Sequence, residues 1–244
     1  MSQQVKVQRK LSFYDAANLK ANVGGNMLEE KKHFSDNFMG DTLDTNKWTA
    51  TVGGSGDAIA ISEVSGGECL LTTGGNDNDT SHLGSAIIFR GSKYPVIEAR
   101  ITIDDVTGTA LFFGFSDAKS ESNGSLAIEY PANSLTTNAT DAVGFVCDAD
   151  HTSSLLMCCG VYGDTDATAV SSGITWTDGQ TKNLRITLEG TIATFYVDGV
   201  PVGSLPVAVT STTLLCAAVQ VATRAADGQN TVHLHRIDVW QTED

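Results

Sequence analysis

Leu184, Ile186 and Leu188 alternate with Asn183, Arg185, Thr187 and Glu189, and the same two-residue rhythm resumes at 194–197 and 200–203. That period belongs to strands with one buried face, not to a helix. Between the last two runs stands Asp198-Gly199, a dipeptide that accepts the positive φ angles of a two-residue hairpin turn. Such a turn sets Val197 opposite Val200, Phe195 opposite Val202 and Tyr196 opposite Pro201. Phe195, Val197, Val200 and Val202 are then expected on the buried side. Pro201 cannot donate to a ladder, so its strand is expected at a sheet edge or bulged.

The rest of the chain has the same texture. Short apolar runs at 59–64, 69–73, 86–89, 96–103, 110–115, 142–147, 155–161, 214–221 and 231–240 are separated by Gly, Asn, Asp, Ser and Thr. Strands at this density, without helices between them, predict an all-β jelly-roll sandwich of two antiparallel sheets. Ile97, Ala99, Ile101 and Ile103 share one face. In the last run the parity switches between Leu234 and Ile237, which predicts a bulge near His235-Arg236. With 244 residues the core is large enough to need no staple, and no run of about 18 apolar residues suggests a membrane span.

Two segments are expected: an extended N-terminal arm over residues 1–33, with at most a short helix near 14–20, and a sandwich domain over 34–244. Charge separates them. The arm holds six basic and three acidic residues, a net +3, which leaves −17 for the remainder of a chain at −14. A body this acidic repels nucleic acid and anionic membranes, so neither is an expected partner. Cys69, Cys147, Cys158, Cys159 and Cys216 lie in apolar runs behind an N-terminus without a signal-like stretch. They are expected to be reduced core thiols. Cys158 and Cys159, being adjacent, would point to opposite faces.

Phe34-Ser35-Asp36-Asn37-Phe38 with Leu43–Trp48, the segment 94–100 around Glu98-Ala99-Arg100, the Asp198-Gly199 hairpin and the closing 235–240 together resemble the concanavalin-A-like sandwich family, which includes laminin-G-like modules and laminarinase-type glucanases. Within that family, 38–48, 113–119 and 136–145 are most similar to structural proteins of tailed bacteriophages. The relatives often carry an aromatic pair where this chain has 155–159. The resemblance implies a virion component; the expected location is the capsid exterior, after assembly in the host cytoplasm.

Glucanase chemistry in this family needs carboxylates spaced as Glu-x-Asp-x-x-Glu, or with one further residue inserted, on one strand face, about 5–5.5 Å apart for a retaining mechanism. No segment has that spacing, and no Gly-x-Ser-x-Gly elbow is present. The sequence therefore predicts a protein that is not an enzyme and needs no cofactor. His233 and His235 share a face and could ligate a metal, but a solvated face is the expectation. The Asn76–Asp79 and Asp148–Asp150 turns are expected to be loop chemistry and not calcium sites. Trp48 and Trp240 are expected to pack on each other. Trp176 is the one candidate glycan platform, with a half-buried rim position as the plainer reading.

The functional expectation is a non-enzymatic capsid decoration protein bound to the major capsid protein through its arm. Lys6, Arg9 and Lys10 would face capsid carboxylates, and Leu11, Phe13, Tyr14 and Leu19 would fill apolar pockets. Copies are expected to associate, a trimer suiting local threefold axes. The alternative is a receptor-binding module of a tail or head fibre that takes a host-surface glycan.

Overall fold

The computed structural model describes residues 31–151, 155–224 and 228–242, together with the backbone at 12–13 and 21–22, where Ser12–Phe13 pairs antiparallel with Ala21–Asn22. The short helix expected near 14–20 lies outside the described residues. Among the described residues no helix is long and apolar enough to cross a membrane.

The strands of the sandwich are β1 (Lys31–Asp36), β2 (Thr49–Val52), β3 (Ala58–Ser62), β4 (Glu68–Thr72) and β5 (Thr80–Gly84). They continue with β6 (Val96–Ile103), β7 (Thr109–Ser116), β8 (Ala142–Asp148), β9 (Leu155–Tyr162) and β10 (Val170–Thr175). The last five are β11 (Thr181–Glu189), β12 (Ile192–Val197), β13 (Val200–Leu205), β14 (Cys216–Thr223) and β15 (Thr231–Thr242). Sheet I runs β9-β8-β7-β14-β5-β2, with β10 also on β9. Sheet II runs β13-β12-β11-β6-β15-β4-β3, with β1 also on β15. All pairings are antiparallel, as the alternation requires. The expected fold class is the observed one.

The inner faces meet in one core. Ile97, Ala99, Ile101 and Ile103 of β6 lie against Phe113, Phe115 and Phe145 of sheet I, and all seven are buried. Phe145 and Phe195 contact edge to face at 5.1 Å, a geometry favoured by the ring quadrupoles. Cys158 belongs to this core and Cys159 to a second one, so the two do face opposite ways.

The hairpin forms with Asp198 at φ 50° and Gly199 at φ 81°, the double left-handed signature of a type I′ turn. Val197 faces Val200 and Tyr196 faces Pro201, but Phe195 faces Gly203 because the register shifts between Phe195 and Tyr196. β13 is an edge strand, as Pro201 demands. Phe195 and Val197 are buried, whereas Val200 is 61% exposed and Val202 half-buried. The expectation that Val200 is core is corrected: at a sheet's edge, beside the turn, nothing from the other sheet reaches it. The run 86–89 is also not a strand; it holds only an isolated bridge between Phe89 and Leu215.

Three features surround the sandwich. The outer face of sheet I is not open to solvent: residues 117–141 cross it, and Leu126, Ala127 and Ile128 bury against Ala110, Phe112, Val146 and Cys159. Gly144 makes room for this layer, since a Cβ there would meet the Phe112 ring at 2.4 Å. The expected bulge in β15 is present, with Leu234 paired to Ile101 and Arg236 to Arg100, leaving His235 as the extra residue. Finally, β1 pairs residue for residue with the end of β15, from Asp36–Ile237 to Lys31–Thr242.

Candidate functional site

The bulge decides what the outer face of sheet II presents. Alternation along β15 would send one of His235 and Arg236 into the core; the extra residue turns both outward. Arg236 then stands directly opposite Arg100 on β6, and Asn183 on β11 lies beyond Arg100 in the same row. One row along, Asp238 stands opposite Glu98, and Arg185 follows on β11. Glu98, Arg100, Asn183, His235, Arg236 and Asp238 floor a groove of about 400 Å³ rimmed by Asn37 and the Gly66-Gly67 turn.

Charge on this floor is only partly internally matched. Arg236 pairs with Asp238, and His33 approaches the same carboxylate at 3.4 Å. Arg185 lies over the Tyr196 ring at 4.2 Å, a cation–π contact. The Arg100 guanidinium makes no hydrogen bond and no ion pair with any described residue. Trp240, half-buried, continues the outer face two residues past Asp238 and meets His33 edge-on at 6.4 Å.

Beside the groove, Glu68 accepts from His233 Nδ1 at 3.1 Å and lies 3.3 Å from His235 Nδ1. Burial works against charge on His233, but its hydrogen bonds to Asp104 and Glu68 outweigh that and raise its pKa. For His235 burial dominates. Glu68 opposes it, while the positive Arg100 and His233 reinforce it, and the pKa falls. His235 Nε2 meets Thr102 Oγ1 at 2.9 Å, which meets Thr181 Oγ1 at 2.7 Å. Both histidines thus serve a hydrogen-bonded ladder. Among the described residues no group of three or more His, Cys, Asp or Glu is arranged to hold a metal ion.

A second polar centre lies on sheet I. Arg224 donates to Glu129 at 2.8 Å and to Asp148 at 3.1 Å, with Asp150 at 3.8 Å. Glu129 also accepts from the Leu126 N–H and from Asn138, and Asp148 from the Tyr130 and Asp150 N–H groups. The Glu129 and Asp148 carboxylates are both tied down, so the centre holds residues 117–141 in place.

The other residues singled out by sequence fall as follows. The arm residues Lys6, Arg9, Lys10, Leu11, Tyr14 and Leu19 lie outside the described residues, and Phe13 is described by its backbone alone. Asp79 accepts from the N–H and side chain of Asn76, the loop bonding expected of that turn. Trp48 and Trp240 do not pack on each other: Trp48 is core beside Phe34 and Phe38, with its ring N–H on Asp36. Trp176 is 1% exposed, its N–H given to the Gln180 carbonyl, so it is neither platform nor rim residue. All five cysteines are free and buried, and burial pushes the Cys69, Cys147, Cys158 and Cys216 thiols up to about 12.

No family model and no curated protein matches the chain. Solved structures do. The pseudo β-1,3-glucanase and immunostimulatory antigen of Mycobacterium tuberculosis superposes with a TM-score of 0.59 at 14% identity, covering 86% of this chain and 98% of that one. LamAcat from Zobellia galactanivorans gives 0.58 at 13%, covering 85% and 96%. The Bacteroides ovatus glycoside hydrolase of family 16, in complex with a G4G4G3G product, gives 0.56 at 12%, covering 84% and 99%. At these identities the likeness is one of fold: a concanavalin-A-like sandwich.

The comparison corrects the expectation that the protein is not an enzyme. Family 16 endo-glucanases span nearly their whole length on this architecture, so it is one on which glycan hydrolysis is carried out. Glu98 and Asp238 come from neighbouring strands and meet as a cross-strand pair, a relation that puts Cβ atoms about 4.5–5.5 Å apart and that no spacing along a single strand reveals.

Proposed function

We propose that this chain is a virion structural protein of a tailed bacteriophage, decorating the capsid exterior and held to the major capsid protein through residues 1–33. The observation that carries this reading is the partition of charge, +3 on the arm against −17 on the body, joined to the way the arm enters the fold. β1 is knitted to the last six residues of β15, so whatever holds the arm holds the sandwich. Like-charged bodies crowded on a shell repel one another and need a specific tether.

Ordering about 33 residues costs about 1–2 kcal/mol each in backbone entropy, and surface ion pairs return about 0–1 kcal/mol each. Lys6, Arg9 and Lys10 therefore orient the arm on capsid carboxylates, while Leu11, Phe13, Tyr14 and Leu19 supply the apolar anchorage. Association of copies, as a trimer, multiplies such grips through effective concentration. The test is a chain that begins at Lys31, which keeps β1 whole. It retains the β-sheet circular dichroism of the full chain and fails to bind undecorated heads. Decoration equal to that of the full chain sinks the proposal.

A second reading, a receptor-binding module on a tail or head fibre, is favoured by the open polar groove on sheet II. Copy number in the particle separates the two: hundreds on the head for decoration, a few at a fibre tip for adhesion.

A further inference from the structure

We infer that the groove on the outer face of sheet II is a binding site for an acidic oligosaccharide, one whose sugars carry carboxylate or sulfate groups. The inference deepens the receptor-binding reading and rests on it.

Three observations point to an anion at one end of the groove. Residues 34–244 contain only nine Lys and Arg, yet Arg100 and Arg236 both line this one groove. Arg100 and Arg236 stand directly opposite each other, a like-charge pairing that costs stability unless something negative joins it. Arg236 has a protein partner in Asp238; Arg100 has none among the described residues. A guanidinium with its donors free matches a carboxylate or sulfate in bidentate geometry. The bulge that lets both Leu234 and Ile237 face the core also turns His235 outward at the same end of the groove.

The next row selects a sugar over a bare anion. Glu98 and Asp238 sit one row from Arg100 and Arg236 and repel a compact dianion, but as acceptors they suit hydroxyl donors. Further along β15, Trp240 offers a half-buried ring four residues from Arg236, about 13 Å at strand rise, where an adjoining sugar ring can lie on it. The volume of about 400 Å³ falls within the range of small-ligand sites, about 300–1,000 Å³.

The experiment measures binding of the full-length protein by calorimetry to tetragalacturonate, a sulfated carrageenan tetrasaccharide, laminaritetraose and sodium sulfate. The expected result is binding of one or both acidic tetrasaccharides, with carboxylate and sulfate sources told apart by which binds. Arg100→Ala weakens that binding at least tenfold and Arg100→Lys weakens it less, neither lowering the melting temperature because residue 100 is exposed. Binding of laminaritetraose unaffected by Arg100→Ala overturns this site while leaving a glycan-binding module standing. Sulfate alone binding as tightly as the tetrasaccharides overturns the saccharide assignment. Binding of none of them overturns both this site and the receptor-binding reading, and leaves head decoration intact.

Discussion

Arg224 donates to Glu129 across 95 positions of sequence, Nη2 to Oε2 at 2.8 Å, with only 4% of its side chain exposed. The same guanidinium holds Asp148, whose side chain is fully buried. This pairing closes residues 117–141 over sheet I. Removing the cation strands two carboxylates in a low-dielectric site, which typically costs about 3–5 kcal/mol. Arg224→Ala is therefore expected to lower urea stability by that amount and to open the 117–141 segment to limited proteolysis before global unfolding. Arg224→Lys keeps the charge but loses the fork and falls between.

His82 predicts an acid-sensitive fold. It lies on β5 beneath the same cover, 1% exposed, with both ring nitrogens unpartnered. Burial holds its pKa down to about 4, with nearby Asp57 opposing. The unfolded chain takes up the proton near its ordinary value of 6.5, so between those values the unfolded state binds more protons. Stability is then full above pH 6.5 and declines as pH falls through 4, the loss reaching about 3 kcal/mol at pH 4. In His82→Leu that component of the decline disappears. Denaturant titrations of the two proteins at pH 7, 5.5 and 4 check it; parallel curves would refute it.

Phe195 and Val200 flank one hairpin and should behave oppositely. Phe195→Ala removes a fully buried ring from the contact with Phe145 and is expected to cost about 3–5 kcal/mol. Val200→Ala, at an exposed edge position, should stay within about 0.5 kcal/mol. Equal effects in equilibrium unfolding would mean that the register is wrong.

The thiols offer a chemical check on the two cores. With burial pushing four of them to about 12 and Cys159 well above its ordinary value, almost no thiolate exists at pH 8, and the thiolate is the reactive form. Ellman's reagent is expected to find close to none in the native protein and five after denaturation without reductant. A thiol that reacts quickly in the native state contradicts its burial.

What the sequence disclosed, it disclosed through local geometry. Asp198-Gly199 can hardly be anything but a tight turn. The parity switch between Leu234 and Ile237 has few remedies other than an extra residue. What stayed hidden depends on partners far along the chain. Ala142–Asp148 is buried on both faces because the separate segment 117–141 covers it, so alternation carries no signal there. Trp176 and Trp240 exchanged their expected surroundings because a lone aromatic near a turn says nothing about which sheet closes over it. The groove was illegible for the same reason. Arg100, Asn183, Arg236 and Asp238 lie on three strands, and only the pairing of β6 with both β11 and β15 brings them into one field.

The ladder between β1 and β15 makes the strength of any tether depend on direction. A pull on the arm along the strand axis loads all the paired residues from Lys31–Thr242 to Asp36–Ile237 together, in shear. A pull across the sheet breaks them singly, starting at Lys31, like a zip. A particle under internal pressure and a particle brushed sideways would thus test the same six residues in different ways, and single-molecule stretching along the two axes should give a higher rupture force for the first.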